Sequence, residues 1–180
     1  MNRAGRTAVV LGSVMCLAGC GGGGRAPMQS ASVVTPAVMA SPVMLSTAAY
    51  VAAASSIDLF EMQSAQLALQ RAMDPGNRAF AERVLSAHQG TSAQLSFAGR
   101  RLNLLPSTTL SPEHQAMLGA LSATSDFDNT YRAQQRIVVE QGVRLHSGYA
   151  RGGDSPTLRP IAENAENVMR ANLQALRASR

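Results

Sequence analysis

The sequence has no tryptophan and no lysine, and only three tyrosines and four phenylalanines. With so few aromatics, Ala, Leu, Val and Met must fill any interior. That suits close-packed helices better than a β-sandwich. Without lysine, all sixteen basic residues are arginine, a choice that reflects genome composition more than function. They are scattered: only Arg100 and Arg101 are adjacent, and no aromatic residues interleave with them. Nucleic-acid binding needs a clustered basic face, so no nucleic-acid partner is expected. The formal charge is +5. Losing Arg3 and Arg6 with an export signal leaves +3 (5 − 2), a mildly basic, solvated surface.

Catalytic patterns are missing too. There is no G-x-S-x-G, H-E-x-x-H, C-x-x-C or E-x-x-H, so no enzyme activity and no cofactor are expected. The two cysteines are Cys16 and Cys20. Both are accounted for by export, which leaves the mature domain no thiol for a disulfide, a metal or a nucleophile.

The N-terminus carries the most specific signal. Arg3 and Arg6 form a positive start, and Ala8 to Ala18 an apolar stretch of eleven residues. A bilayer span needs about twenty, so this is a signal peptide rather than an anchor. It ends in Leu17-Ala18-Gly19-Cys20, which resembles the bacterial lipobox. Cleavage is expected between Gly19 and Cys20. The Cys20 thiolate is the nucleophile that takes the lipid. Buried methylenes are worth about 0.8 kcal/mol each, so two or three acyl chains (palmitate and diacylglycerol) make a lasting membrane anchor. Residue 21 is Gly rather than Asp. By resemblance to enterobacterial lipoproteins, that favours the outer membrane over the inner one, with the domain on the periplasmic side.

Three segments follow: residues 1–19 as signal peptide, 20–45 as lipidated cysteine and tether, and 46–180 as a helical domain. The tether is rich in Gly, Ser, Ala and Pro without periodicity, and would reach roughly 25–30 Å. Its glycine run is not a phosphate loop, since no Lys-Ser/Thr pair follows.

From residue 46 the spacing predicts helices only. The first runs from about Ser46, an N-cap, to Met73, and Asp74-Pro75-Gly76-Asn77 breaks it. The second runs from about Asn77 to Leu102, with the stripe Ala81, Val84, His88, Thr91, Leu95, Ala98 and Leu102. Leu104 to Leu110 is a loop. Ser111-Pro112 caps a short third helix to about Ala123. Ser125 with Asp128, a capping-box spacing, starts a fourth. Its stripe is Phe127, Tyr131, Gln134, Val138, Gly142, Leu145 and Tyr149, and Arg151-Gly152-Gly153-Asp154 ends it. Ser155-Pro156 caps a fifth, to about Ser179, with the stripe Leu158, Ile161, Ala165, Val168, Asn172 and Ala175. Glu166 and Arg170 are spaced for an i,i+4 pair. The expected fold is all-α, an antiparallel four-to-five-helix bundle.

Polar residues on inward faces matter most, because burying them costs free energy unless they find partners. His88 and Asn172 are central on their stripes, and Glu61 sits near the edge of the first helix's apolar face. The bland readings are a core histidine hydrogen-bonded to a neighbouring helix, a buried amide and a rim carboxylate. The sharper reading joins Glu61, His88 and Asn172 in one polar core site. His114 and His146 read as surface residues, and Asp126 and Asp128 as helix-start acids.

The segment from about Tyr50 to Leu176 resembles the bacterial family called domain of unknown function 4142. The matching pieces are Glu61, Phe80-Ala81 followed by His88, Phe127-Asp128 with Tyr131, and Asn172-Leu173. The resemblance implies an exported helical bundle of the ferritin-like type. Family members usually carry a histidine in the second, fourth and last long helices. Here His88 remains, the fourth-helix position falls at Val139 or Glu140, and the last is Asn172. The acid that usually precedes the first histidine is Ala87. A degenerate site of this kind is expected to hold no metal. Two functions stand against each other. One is a non-enzymatic envelope module that meets other envelope proteins or serves stress tolerance. The other is a small-ligand or metal-binding bundle centred on His88. An exposed apolar patch would favour the first, and an enclosed pocket near His88 the second.

Overall fold

A computed structural model describes residues 45–178. Cys20, Gly19, the signal and nearly all of the tether lie outside the described residues, as does the expected end of the last helix at Ser179. Among the described residues the structure is all helix: α1 (Thr47–Arg71), α2 (Pro75–Arg101), α3 (Pro112–Ala123), α4 (Phe127–Gly152) and α5 (Arg159–Ala178). Short links make α1/α2 and α4/α5 antiparallel hairpins. These pack α1 on α4 and α2 on α5, with short α3 lying against α1 and α4.

Local chemistry sets the ends. Ser46 Oγ accepts from Ala49 N–H (3.3 Å) and Ser111 Oγ from His114 N–H (3.3 Å), as their cap positions predict. The Asp74-Pro75-Gly76-Asn77 stretch ends α1, but it also starts α2 two residues earlier than expected. Asp74 Oδ1 accepts from Gly76 N–H (2.6 Å) and Asn77 N–H (3.1 Å), and Pro75 takes the first helical position, where no N–H is needed. After α2 the chain turns at Asn103, whose φ of 55° is one Asn tolerates.

The capping box at Ser125 does not form. The residue before α4 is Asp126, which makes no side-chain cap. Asp128 instead reaches across to the α1–α2 corner, accepting from Met73 N–H (3.0 Å), Asp74 N–H (3.3 Å) and Asn77 Nδ2 (2.7 Å). At the opposite end Asp154 does the same for the start of α1. It accepts from Thr47 N–H (3.2 Å), the Thr47 hydroxyl and Tyr149 Oη (2.8 Å). α5 starts at Arg159 after one preliminary turn in which Ser155 O accepts from Leu158 and Arg159 N–H. Its buried line is Ala162, Ala165, Met169, Asn172 and Leu176, about one position round from the expected stripe. The Glu166–Arg170 pair forms as expected, at 2.6 Å.

The core has two apolar clusters. One contains Phe60, Ala65, Phe80, Val84, Phe127, Tyr131, Val138 and Met169, and the other Tyr50, Val51, Ala54, Leu95, Tyr149 and Leu158. Along α1, α2 and α4, the polar residues Asp58, His88, Thr91 and His146 fall at the junction between these clusters.

Candidate functional site

The site is built from residues at i,i+3 spacing on facing helices. Asp58 and Glu61 share one face of α1, and His88 and Thr91 one face of α2. Asp58 Oδ1 accepts from His88 Nδ1 (2.8 Å) and from Thr91 Oγ1 (2.7 Å). From α5, Asn172 Nδ2 faces His88 Nε2 at 3.4 Å, and Asn172 Oδ1 accepts from Arg83 Nε at 3.4 Å. In the neutral ring Nε2 accepts from the amide, and in either charge state Nδ1 carries the hydrogen toward Asp58. All of these except Arg83 are buried. Burial alone would pull the His88 imidazole down. The hydrogen bond to Asp58 and the charges of Glu61 and Asp58 outweigh it, and hold His88 above its usual value.

Glu61 corrects the expected rim carboxylate. It is 0 % exposed, and neither of its oxygens has a hydrogen-bond partner within the described protein. Burial pushes it up to about 7. The His88 charge and the Gln135 amide work against that rise, and Asp58 adds to it. Gln135 gives its Nε2 to Ser64 Oγ (3.0 Å). Its Oε1 and the Tyr131 hydroxyl are likewise buried and unpartnered. The structure therefore brings His88 and Asn172 into contact, as the polar core site requires. Glu61 joins them through its field and not through a bond.

Two histidines expected at the surface are buried. His146 Nδ1 meets Tyr50 Oη at 3.0 Å, and burial pulls its imidazole down to about 4. His114 Nδ1 lies 2.7 Å from Ser56 Oγ, which also accepts from Ser111 N–H (2.8 Å). His114 Nε2 faces Gln141 Oε1 at 3.4 Å. Sequence reasoning missed Asp58 entirely. α1 carries small apolar residues on every face, so no stripe marks which polar side chain points inward. His146 did carry a signal: it follows Gly142 by four and precedes Tyr149 by three, on the inward face of α4.

A separate open groove of about 490 Å³ lies between α1, α3 and α4. Its exposed surface is mostly apolar, from Ala49, Ala52, Ala53, Ile57 and Leu145, and Ser56, Ser111, Glu113, His114 and Gln141 are its polar residues. Fully buried His88 does not line it.

The model of the family described as "Domain of unknown function (DUF4142)" matches residues 32–178, and the chain belongs to that family. No curated protein sequence matches the chain. Among solved structures, the fold is similar to one described as CopM in the Cu(II)-bound form. The TM-score is 0.63 and the identity 13 %, over 75 % of this chain and 95 % of that one. It is also similar to the crystal structure of a DUF305 fragment from Deinococcus radiodurans, with a TM-score of 0.54 and 16 % identity over 72 % and 91 %. At these identities the likeness establishes a shared helical-bundle fold.

Proposed function

We propose that this family member is a lipid-anchored, non-enzymatic module of the bacterial envelope. Cys20 holds it to the membrane, and its helical domain meets other envelope proteins on the periplasmic side. The lipobox Leu17-Ala18-Gly19-Cys20, set at the end of an eleven-residue apolar stretch, supports the anchor. No described helix is long and apolar enough to cross a membrane.

The single observation that carries the non-enzymatic reading is the closure of the polar site. Both ring nitrogens of His88 are engaged, Asp58 is held by His88 and Thr91, and the group is sealed from solvent. An acid or base must reach its substrate to act, and none of these can. The groove lined by Ala49, Ala52, Ile57 and Leu145 supports the interaction reading, since its surface is mostly apolar, open and distinct from the polar core.

One similar fold is described with Cu(II) bound. Metal binding is not carried over. Among the described residues no three His, Cys, Asp or Glu side chains are placed to hold an ion, and a metal at His88 would have to displace Asp58 or Asn172.

Two measurements test the proposal. Cys20→Ser should abolish lipid labelling and move the protein out of the membrane fraction, and unchanged labelling refutes the anchor. Proximity labelling in cells should recover envelope proteins whose yield falls in Ala52→Arg, a change at an exposed position in the groove. A labelling pattern identical to wild type refutes the groove as the contact surface.

A further inference from the structure

Inside the bundle, α1 and α4 enclose four atoms that have no hydrogen-bond partner among the described residues: both oxygens of Glu61, Oε1 of Gln135 and the hydroxyl of Tyr131. Three of the four are acceptors when Glu61 is ionised, and the fourth has a single hydrogen to give. Nearby hydrogens are fewer than the acceptors. Ser64 Oγ donates to the Glu61 backbone carbonyl (3.2 Å), and Gln135 Nε2 gives one of its two hydrogens to Ser64 Oγ; its second hydrogen and that of Tyr131 make two for three acceptors. Buried acceptors without donors are costly, and native cores rarely keep several together.

Charge gives the same answer independently. Asp58 lies three residues from Glu61 on the same face and holds His88 at 2.8 Å. His88 balances one carboxylate, not two. The groups around Glu61 come from every packed helix. α1 gives Asp58 and α2 gives His88, while Arg83 is held on Asn172 Oδ1. α3 gives His114, whose ring lies against Phe60. α4 gives Tyr131 and His146, the latter held neutral by burial. α5 gives the neutral amide of Asn172, and Glu166, whose charge is felt at His146. No second cation faces Glu61 in this set, and an unbalanced buried carboxylate takes up a proton.

We propose that Glu61 is a proton-binding site in the core of the bundle, its carboxyl carrying the hydrogen that the cluster of Glu61, Tyr131 and Gln135 lacks. Protonated Glu61 turns from a pure acceptor into a donor, and it leaves the Asp58–His88 pair as the single ionic contact at this level. Losing the proton places two carboxylates on one face of α1 against one imidazole. The domain thus responds to the proton concentration outside it without an exposed titrating group.

The test is carbon-13 NMR of the purified full-length protein labelled at the glutamate carboxyl carbons. The chain has six glutamates: 61, 82, 113, 140, 163 and 166. One resonance should titrate in the neutral range, near the value of about 7 to which burial pushes Glu61, and vanish in Glu61→Gln. Infrared difference spectra should show a protonated-carboxyl band at pH 5.5 that fades on raising the pH, and that Glu61→Gln also loses. If Glu61→Gln does not fold, the other five glutamates are replaced by Gln one at a time, and the neutral-range resonance should survive all five. Six resonances in the ordinary carboxylate range, or loss of the neutral-range signal in any of those five variants, overturns the proposal.

Discussion

Asp58 Oδ1 sits 2.8 Å from His88 Nδ1 across the α1–α2 interface, and both side chains are buried. The same oxygen accepts from Thr91 Oγ1, so a single atom gathers two donors from consecutive turns of α2. This contact fixes the rotation of α2 about its axis and hence which residues meet the core. It also orients the imidazole toward Asn172 on α5, linking three helices through one side chain.

Removing one partner of such a buried pair leaves the other desolvated and uncompensated. Asp58→Ala should therefore cost about 3–5 kcal/mol, and His88→Ala should be comparable. The double variant should cost clearly less than the sum, because its second change removes an orphaned group. Urea denaturation of the three variants measures this. Additive losses would mean that the pair is not coupled.

Asp128 and Ser125 separate two accounts of the start of α4. Asp128 holds three donors from the α1–α2 corner, whereas Ser125 caps nothing. Asp128→Ala should cost about 1–3 kcal/mol, from hydrogen bonds to a charged group at a half-exposed site. Ser125→Ala should stay within about 0.5 kcal/mol. The reverse order in thermal melts would restore the capping box.

Two glycines on α2 should respond with opposite signs. A Cβ at Gly90 meets nothing within 4 Å, so Gly90→Ala should stabilise by about 0.5–1 kcal/mol through helix propensity. A Cβ at Gly99 would lie 2.2 Å from the Leu104 carbonyl oxygen. That is backbone, fixed by the Leu104 N–H bond to Gly99 O (2.9 Å). Gly99→Ala must push the chain away and should destabilise by more than about 1 kcal/mol. Chemical denaturation of the two single variants decides the signs.

The helices were legible because Ser46, Asp74-Pro75 and Ser111-Pro112 act locally, through hydrogen bonds and fixed φ angles close in sequence. The stripe on α2 was legible for a related reason: its opposite face is polar, so periodicity marks the buried side. α1 offers no such contrast, and Asp58 and the full burial of Glu61 were invisible on it. Burial there depends on α2 and α4 closing over both sides, which one helix cannot encode alone. Asp128 failed in the same way. Its spacing from Ser125 suggested a local partner, while its actual donors lie more than fifty residues away.

Two buried groups should set the pH dependence of stability, with opposite slopes. Glu61 has a folded-state value of about 7 against an ordinary value of 4.5. Between those values the native state holds a proton that the unfolded chain has lost. Its stabilisation is complete below pH 4.5 and is lost as pH rises through 7. His146 is depressed to about 4 from 6.5. Its contribution is complete above pH 6.5 and is lost as pH falls toward 4. Each ideal slope is about 1.4 kcal/mol per pH unit, so the two largely cancel between pH 4.5 and 6.5. Asp128 and Asp154, both held below the usual 3.8, act at lower pH. Above pH 6.5 His88, raised by Asp58 and Glu61 against its burial, adds to the loss from Glu61, and the three groups titrate as a coupled set. The wild-type profile should thus be nearly flat across mildly acidic pH and then fall toward pH 7.5. Glu61→Gln removes one slope, so its stability should rise from pH 5 to 6.5. His146→Gln removes the other, so its stability should fall over the same range. Urea midpoints at half-unit pH steps read all three profiles, and a Glu61→Gln curve parallel to wild type between pH 5 and 6.5 would show that Glu61 does not titrate there.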